Sequence, residues 1–140
     1  MKSRSNVGQM ILVYGRSDIL DESILESIKT MLGGAAESGS FDSELCIFIN
    51  SAFSTLCQNG VGPANGFVVH DDTETWNDFL GEGVIDLEFV KTYVYYRTRL
   101  AFDPPSSSFV LESFKELANE AFWRAGVQAS YDASEYGNGE

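Results

Sequence analysis

The segment that decides the fold runs from Trp76 to Gln128: WNDFLGEGVIDLEFVKTYVYYRTRLAFDPPSSSFVLESFKELANEAFWRAGVQ. Asp86 is placed to cap a helix over residues 87–102. The sequence Asp-Pro-Pro at 103–105 ends that helix, because proline lacks the amide donor and disfavours helical geometry in the residue before it. A run of serines then caps a second helix, which is predicted to end at Gly126. The segment therefore predicts two long helices joined by a rigid corner.

Two further helices are predicted upstream. Residues 23–32 follow two acidic residues, precede a glycine pair and carry one apolar face. Residues 41–59 form the next helix, which Asp42 or Ser43 is expected to cap. Its apolar side chains occupy more than one side, which is typical of a helix with two neighbours or a partner subunit.

The pattern as a whole predicts a mainly α fold, a small helical bundle of about four to five helices with a short β arm or hairpin and extended termini. The arm is expected at 67–70, a β-prone stretch before an acidic turn, and a brief helix at 73–79. Three regions follow: an amino-terminal extension or arm at 1–18, a helical domain at 19–128 and an acidic flexible tail at 129–140.

Length and charge limit the functions that suit this chain. Its 140 residues fit one domain, and 21 acidic against 9 basic residues give a net charge of −12. Such a surface would repel phosphates, so nucleic-acid wrapping and binding to anionic lipid are both disfavoured. Met10–Tyr14 is apolar but shorter than the ~7–15 residues of a secretory core, so an intracellular origin and no membrane contact are predicted.

Cysteine and histidine usage gives no sign of a metal or cofactor. Cys46 and Cys57 stand eleven positions apart on the predicted second helix, so at ~1.5 Å per residue their α-carbons would be ~16 Å apart, too far for a disulfide. Both are expected to be reduced and buried. With one histidine and no CxxC sequence, no metal site and no cofactor are predicted.

The sequence also offers little for catalysis. It has no GxSxG elbow, and the glycine-rich stretch at 60–66 lacks the GK[ST] ending of a phosphate loop. His70 beside Asp71 and Asp72 leaves open a small hydrolase, although a solvated polar turn is the better interpretation. Trp76 and Trp123 are expected in the core. The protein is therefore predicted not to be an enzyme.

Five stretches together indicate a family. INSAF (49–53), GVGP (60–63), WNDFLG (76–81), VKTYVYYRTRLAFDPPSSSFV (90–110) and EAFWRAGVQ (120–128) occur in that order. The series resembles the head-tail connector (adaptor, head completion) proteins of long-tailed bacteriophages and prophages. The resemblance covers residues 19–128, and the DPPSSSFV corner with its flanking helices is its most specific part.

The resemblance implies a structural virion protein located in the neck, at the head-tail junction, and in the host cytoplasm during assembly. Such a protein would form a closed ring of about twelve copies under the portal protein. The ring would extend the DNA channel after packaging and provide the docking surface for a stopper or tail-completion protein. Double-stranded DNA would pass through an acidic channel without specific binding.

The resemblance also suggests three groups of site residues. Residues 127–136 are expected to be disordered in the free protein and to order on the portal. The predicted portal-binding residues are Val127, Gln128, Tyr131 and Tyr136. The predicted subunit-interface residues are Phe53, Tyr93, Tyr96, Arg97 and Arg99. The predicted lumen or tail-side arm holds Phe67, Val69, His70, Asp71 and Asp72.

An alternative from another class remains open at this point. A cytosolic regulatory domain could bind one protein partner through an exposed aromatic face without assembling into a ring. Such a protein would stay monomeric or dimeric at high concentration, whereas a connector would assemble with the portal.

Overall fold

The structure is a computed structural model that describes residues 19–81 and 85–137, with side chains described as far as Tyr131. The amino-terminal extension predicted for 1–18 lies outside these ranges. The helices are α1 (Ile24–Leu32), α2 (Asp42–Gln58), α3 (Trp76–Leu80), α4 (Leu87–Phe102) and α5 (Ser108–Gly137), with a short 3-10 helix at Gly34–Ser38. The predicted mainly helical fold is confirmed.

Local signals set most of the helix ends. Asp86 caps α4 through a 3.0 Å hydrogen bond that the Glu88 N–H donates to its carboxylate, and α4 begins and ends where the sequence predicts. The cap predicted for α2 is wrong, because Phe41 occupies that position and makes no side-chain bond. Asp42 lies inside the first turn, where its carboxylate is 3.1 Å from the Lys29 ammonium.

The last helix is longer than predicted. It passes through Gly126 and continues to Gly137, so the end predicted at Gly126 is wrong. A glycine inside a helix costs about 1 kcal/mol relative to alanine, which packing on either side can offset. Ala125 is fully buried and Ala129 packs against the core, so the helix is held on both sides of Gly126. The tail predicted from residue 129 is therefore helical as far as Gly137, and its flexibility stays a prediction.

The β arm predicted at 67–70 forms no strand, because a side chain takes the hydrogen bonds that a neighbouring strand would take. Asn50 on α2 donates from Nδ2 to the Val69 carbonyl at 2.9 Å and accepts from the Val69 N–H at 2.7 Å. This amide makes both hydrogen bonds that a neighbouring strand would make. Within 19–81 and 85–137, β pairing is limited to an isolated bridge between Ser23 and Thr75.

An aromatic cluster fills the core between α2, α3 and the 60–69 loop. The Phe53 ring is fully buried, with centroids 5.1 Å from Phe67, 6.2 Å from Trp76 and 4.6 Å from Phe79. Trp76 is also fully buried, and its Nε1–H donates to the Ser27 hydroxyl at 3.1 Å. This bond satisfies the polar end of a large ring in the core and ties α3 to α1.

Candidate docking surface

The antiparallel pair α4–α5 forms one side of the molecule and positions the candidate surface. Small side chains on the inner face of α5 let the two helices approach closely. The buried ones are Ala118, Ala121 and Ala125. Aromatic contacts then align the helices: Tyr93 lies 5.3 Å from Phe122, and Tyr96 lies 4.9 Å from Phe114, between ring centroids.

Polar contacts fix the two ends of this pair. At one end, the Gln128 Oε1 accepts a 2.7 Å hydrogen bond from the Asp86 N–H, at the start of α4. At the other end, the Arg99 guanidinium lies 5.5 Å from the centroid of the Phe114 ring and bonds the Asp103 carbonyl. The register of α5 against α4 is therefore set at both ends.

The carboxyl end of α5 extends past its partner helix. Gln128 sits opposite Asp86, the residue before α4, so residues 129–137 of α5 lie beyond the start of α4. At ~1.5 Å per residue this overhang is ~13 Å long. Ala129 still packs against the core, whereas Tyr131 is exposed, so this end of α5 has an inner face held by the body and an outer face open to a partner.

An apolar groove lies at the base of the overhang. Trp123 and Tyr131 are 67% and 72% exposed, and together with Val127 they are spaced four residues apart on one face of α5. The groove has a volume of about 530 Å³, and the described residues that line it are Asn59, Phe122, Trp123, Gly126, Val127, Ser130 and Tyr131. A Cβ at Gly126 would meet no atom within 4 Å, so the groove is open beside this glycine.

The predicted portal-binding residues divide between two roles. Val127 and Tyr131 line the groove, as a docking role requires. The Gln128 side chain is instead used inside the molecule, where it bonds the Asp86 N–H. Tyr136 lies in the last turn of α5, and its side chain is outside the described part of the chain.

Sequence reasoning missed the largest residue of this groove. Trp123 was expected in the core but is 67% exposed, and that prediction is wrong. The four-residue spacing of Trp123, Val127 and Tyr131 was visible, but it became a helix face only because α5 continues through Gly126.

Most of the predicted subunit-interface residues make contacts inside the chain. Phe53 is fully buried and Tyr93 is 4% exposed, so both stabilise the core in this structure. Tyr96 packs on Phe114, and Arg99 bonds Asp103. Arg97 is the exposed member of the set.

The predicted arm is half core and half surface. Phe67 packs 5.3 Å from Phe79 between ring centroids, and Val69 is buried, whereas His70, Asp71 and Asp72 are exposed. The Thr73 hydroxyl and amide both bond the Asp71 carboxylate and lower its pKa. Asp71 therefore carries a full negative charge at neutral pH.

Contacts around His70 are those of a structured turn. Its Nδ1 lies 3.1 Å from the Glu74 carboxylate. Desolvation opposes the charge on Glu74, but hydrogen bonds from the backbone of Asp71, the His70 ring and further amides together lower its pKa. Burial raises the pKa of the neighbouring Cys46 thiol, and the carboxylates of Asp42, Glu74 and Asp71 raise it further. This cysteine is therefore kept protonated, the opposite of an activated nucleophile.

Both cysteines are free, as predicted, but Cys57 is half-buried rather than buried, so that part of the prediction is wrong. Desolvation still raises the pKa of its thiol. Across 19–81 and 85–137, no group of three or more His, Cys, Asp or Glu side chains is arranged to hold a metal ion. Nor does any helix among these residues have the length and apolar character needed to cross a membrane.

Comparison with protein families gives one match over most of the chain. A family model described as "Phage connector protein" matches residues 24–132, from the first residue of α1 into the overhang of α5. Comparisons with curated proteins and with solved structures give no significant match.

Proposed function

The chain belongs to the phage connector protein family, and we propose that it is the adaptor that forms a ring beneath the portal of a long-tailed phage. The family match confirms the head-tail connector resemblance that the sequence motifs carry. The protein is thus a structural component of phage assembly, from a family of connectors rather than catalysts. Beyond family membership, we propose that copies form a ring, that DNA passes through it and that it docks on the portal.

The observation that carries the proposal is the exposed aromatic groove at the carboxyl end of α5. Trp123 and Tyr131 expose 67% and 72% of their surface on one face of a helix that overhangs its partner helix. Exposed aromatic side chains of this kind supply much of the binding energy when a partner buries them. We expect the overhang to enter the portal, with Trp123, Val127 and Tyr131 as its apolar anchors.

Charge adds a requirement on the portal side. The residues that follow the groove include Asp132, Glu135 and Glu140, and the chain after Gln128 contains no lysine or arginine. A receiving site with an apolar floor and basic residues around it would complement this end of the molecule. The stopper or tail-completion protein would then meet the opposite side of the ring.

Ring formation needs contacts between neighbouring copies. Phe53 and Tyr93 lie in the core and Tyr96 and Arg99 are half-buried, so the exposed Arg97 is the member of the predicted set most open to another subunit. The net charge of −12 offers many carboxylates with which a guanidinium can pair across a subunit boundary. The same excess of acidic residues supports a channel through which DNA slides without being held.

Binding to purified portal rings of the same phage tests the docking surface. We expect Trp123→Ala combined with Tyr131→Ala to weaken binding by a factor of ~1,000, since each anchor residue is worth about 2 kcal/mol, a factor of ~30, when buried. Phe109→Ala is the matched control, because Phe109 is 81% exposed but lies at the other end of α5. Equal binding by the double variant and the control would refute the proposed site.

A further inference from the structure

A second groove lies between α2 and the segment 64–68. Ile47 and Val68 are 67% and 51% exposed and supply its apolar surface. Ser51 and Ser54 continue the exposed face of α2 beside them. This groove, hereafter the α2 groove, has a volume of about 580 Å³.

The α2 groove adjoins an acidic cavity at the start of the helix. That cavity is lined by Leu25, Asp42, Ser43, Cys46, His70, Asp71 and Asp72. Cys46 and Ile47 are consecutive on α2, and the chain from 64 to 72 borders both spaces, so apolar and acidic surfaces follow one another along the helix. Thr73 lowers the pKa of Asp71, which keeps that end of the surface charged.

The first eighteen residues have the complementary character. They contain Lys2, Arg4 and Arg16, three of the nine basic residues, but one of the 21 acidic residues, Asp18. Between the basic residues lies the apolar, β-prone stretch Met10–Tyr14. Cations therefore outnumber carboxylates three to one in this segment, whereas the remainder of the chain holds six cations and 20 carboxylates.

The described chain begins close to the acidic cavity. The Glu22 carbonyl accepts a 3.3 Å hydrogen bond from the Trp76 N–H, and the Ile24 N–H donates to the Glu74 carbonyl at 2.9 Å. These bonds hold Glu22 and Ile24 beside Glu74 and Trp76, which follow Asp72 within four residues. Arg16 is three residues before Ile19, a reach of about 10 Å for an extended chain. The same chain can therefore supply the occupant.

We propose that residues 10–16 dock in the α2 groove of their own chain. Met10–Tyr14 would cover Ile47 and Val68, and Arg16 would pair with Asp71 or Asp72. Apolar burial supplies the affinity, and the charges fix the direction in which the segment lies. This proposal does not depend on ring assembly or on portal binding.

Photo-cross-linking of the full-length protein tests the occupant. p-Benzoylphenylalanine is placed at position 14, ¹⁴N- and ¹⁵N-labelled chains are mixed before irradiation, and cross-linked peptides are identified by mass spectrometry. We expect cross-links from position 14 to peptides that contain Ile47 or Val68, with both peptides carrying the same isotope. Mixed-isotope products would make a second copy the occupant, and cross-links to α5, or none, would equally overturn the proposal.

Two glutamate variants sharpen the test. Val68→Glu places a charge in the groove, and we expect it to lower the yield of the intrachain cross-link by about tenfold. Phe109→Glu is the matched control at an exposed apolar residue on α5, and its yield should equal that of the parent. Both sites are exposed, and the helical circular dichroism of each variant confirms that it folds. Equal yields from the two variants would contradict the proposal.

Discussion

The two tryptophans of this chain lie in opposite environments. Trp76 is fully buried in the aromatic cluster and bonds Ser27, whereas Trp123 is 67% exposed on the outer face of α5. Trp76 lies between Thr75 and Asn77, whereas Trp123 follows Ala121 and Phe122, so local composition predicts the reverse of what is observed. The difference indicates that one set of aromatic residues stabilises the subunit and the other is available to a partner. The glycines, asparagines and lysines each include one residue with close neighbours inside the subunit and one with open space around it. Each such pair provides a test.

The largest effect is expected at the tryptophans themselves. Trp76→Ala removes a buried ring and the donor to Ser27, and we expect it to lower the free energy of unfolding by about 3–5 kcal/mol. Trp123→Ala should change it by less than about 0.5 kcal/mol, because the ring is largely in water. Urea unfolding followed by circular dichroism measures both. Comparable losses would show that the outer face belongs to the core.

The glycines of the 60–66 turn provide the second pair. Gly62 and Gly66 both have positive φ, 98° and 93°, so a side chain is strained at either position. A Cβ at Gly62 would also collide with the Phe79 ring, whereas the space at Gly66 is open. We expect Gly62→Ala to destabilise the protein by about 1–3 kcal/mol more than Gly66→Ala, measured by thermal unfolding. Equal shifts would mean that the loop moves away from Phe79 at no cost.

The asparagines provide the third pair. Asn50→Ala leaves the Val69 N–H and carbonyl without their partner, and we expect a loss of about 1–3 kcal/mol in the free energy of unfolding. Asn119→Ala, at an exposed position on α5, should be close to neutral. Amide hydrogen exchange gives a sharper readout, because the Val69 amide should lose protection in the first variant. Retained protection of the Val69 amide would show that Asn50 does not hold this segment in place.

The smallest effect is expected from the lysines. The hydrogen bond to Asp42 raises the pKa of Lys29 above its usual 10.5, although burial opposes the shift, and Glu26 adds to it. The stabilising contribution is therefore complete below pH 10.5 and is lost as the pH rises through the folded-state pKa. We expect the stability difference between wild type and Lys29→Met to shrink over that range. Lys115→Met, at a half-exposed residue, should change the free energy of unfolding by less than about 1 kcal/mol.

The sequence was most informative where structure depends on near neighbours. Both ends of α4 follow from Asp86 and from the Asp-Pro-Pro corner, which act within a turn or two. It was least informative where distant residues decide the outcome. Asn50 holds Val69 from nineteen positions away, and packing of Ala125 and Ala129 carries α5 through Gly126.

The same distinction applies to the candidate surface. The motifs predicted the connector family, and two residues that were expected to bind the portal, Val127 and Tyr131, line the groove. They did not predict that Trp123 faces outward or that Phe53 and Tyr93 are buried, because exposure depends on which helices pack together. An aromatic residue on a helix is assigned to a core or to an interface only when its neighbours in space are known.

Mass photometry of portal rings mixed with the full-length protein tests the central claim most directly. A connector should add the mass of about twelve copies of the chain to each portal ring, in a closed symmetric assembly. The Trp123→Ala, Tyr131→Ala double variant should leave the portal mass unchanged at the same concentration. A wild-type protein that stays monomeric or dimeric beside unaltered portal rings would contradict the account.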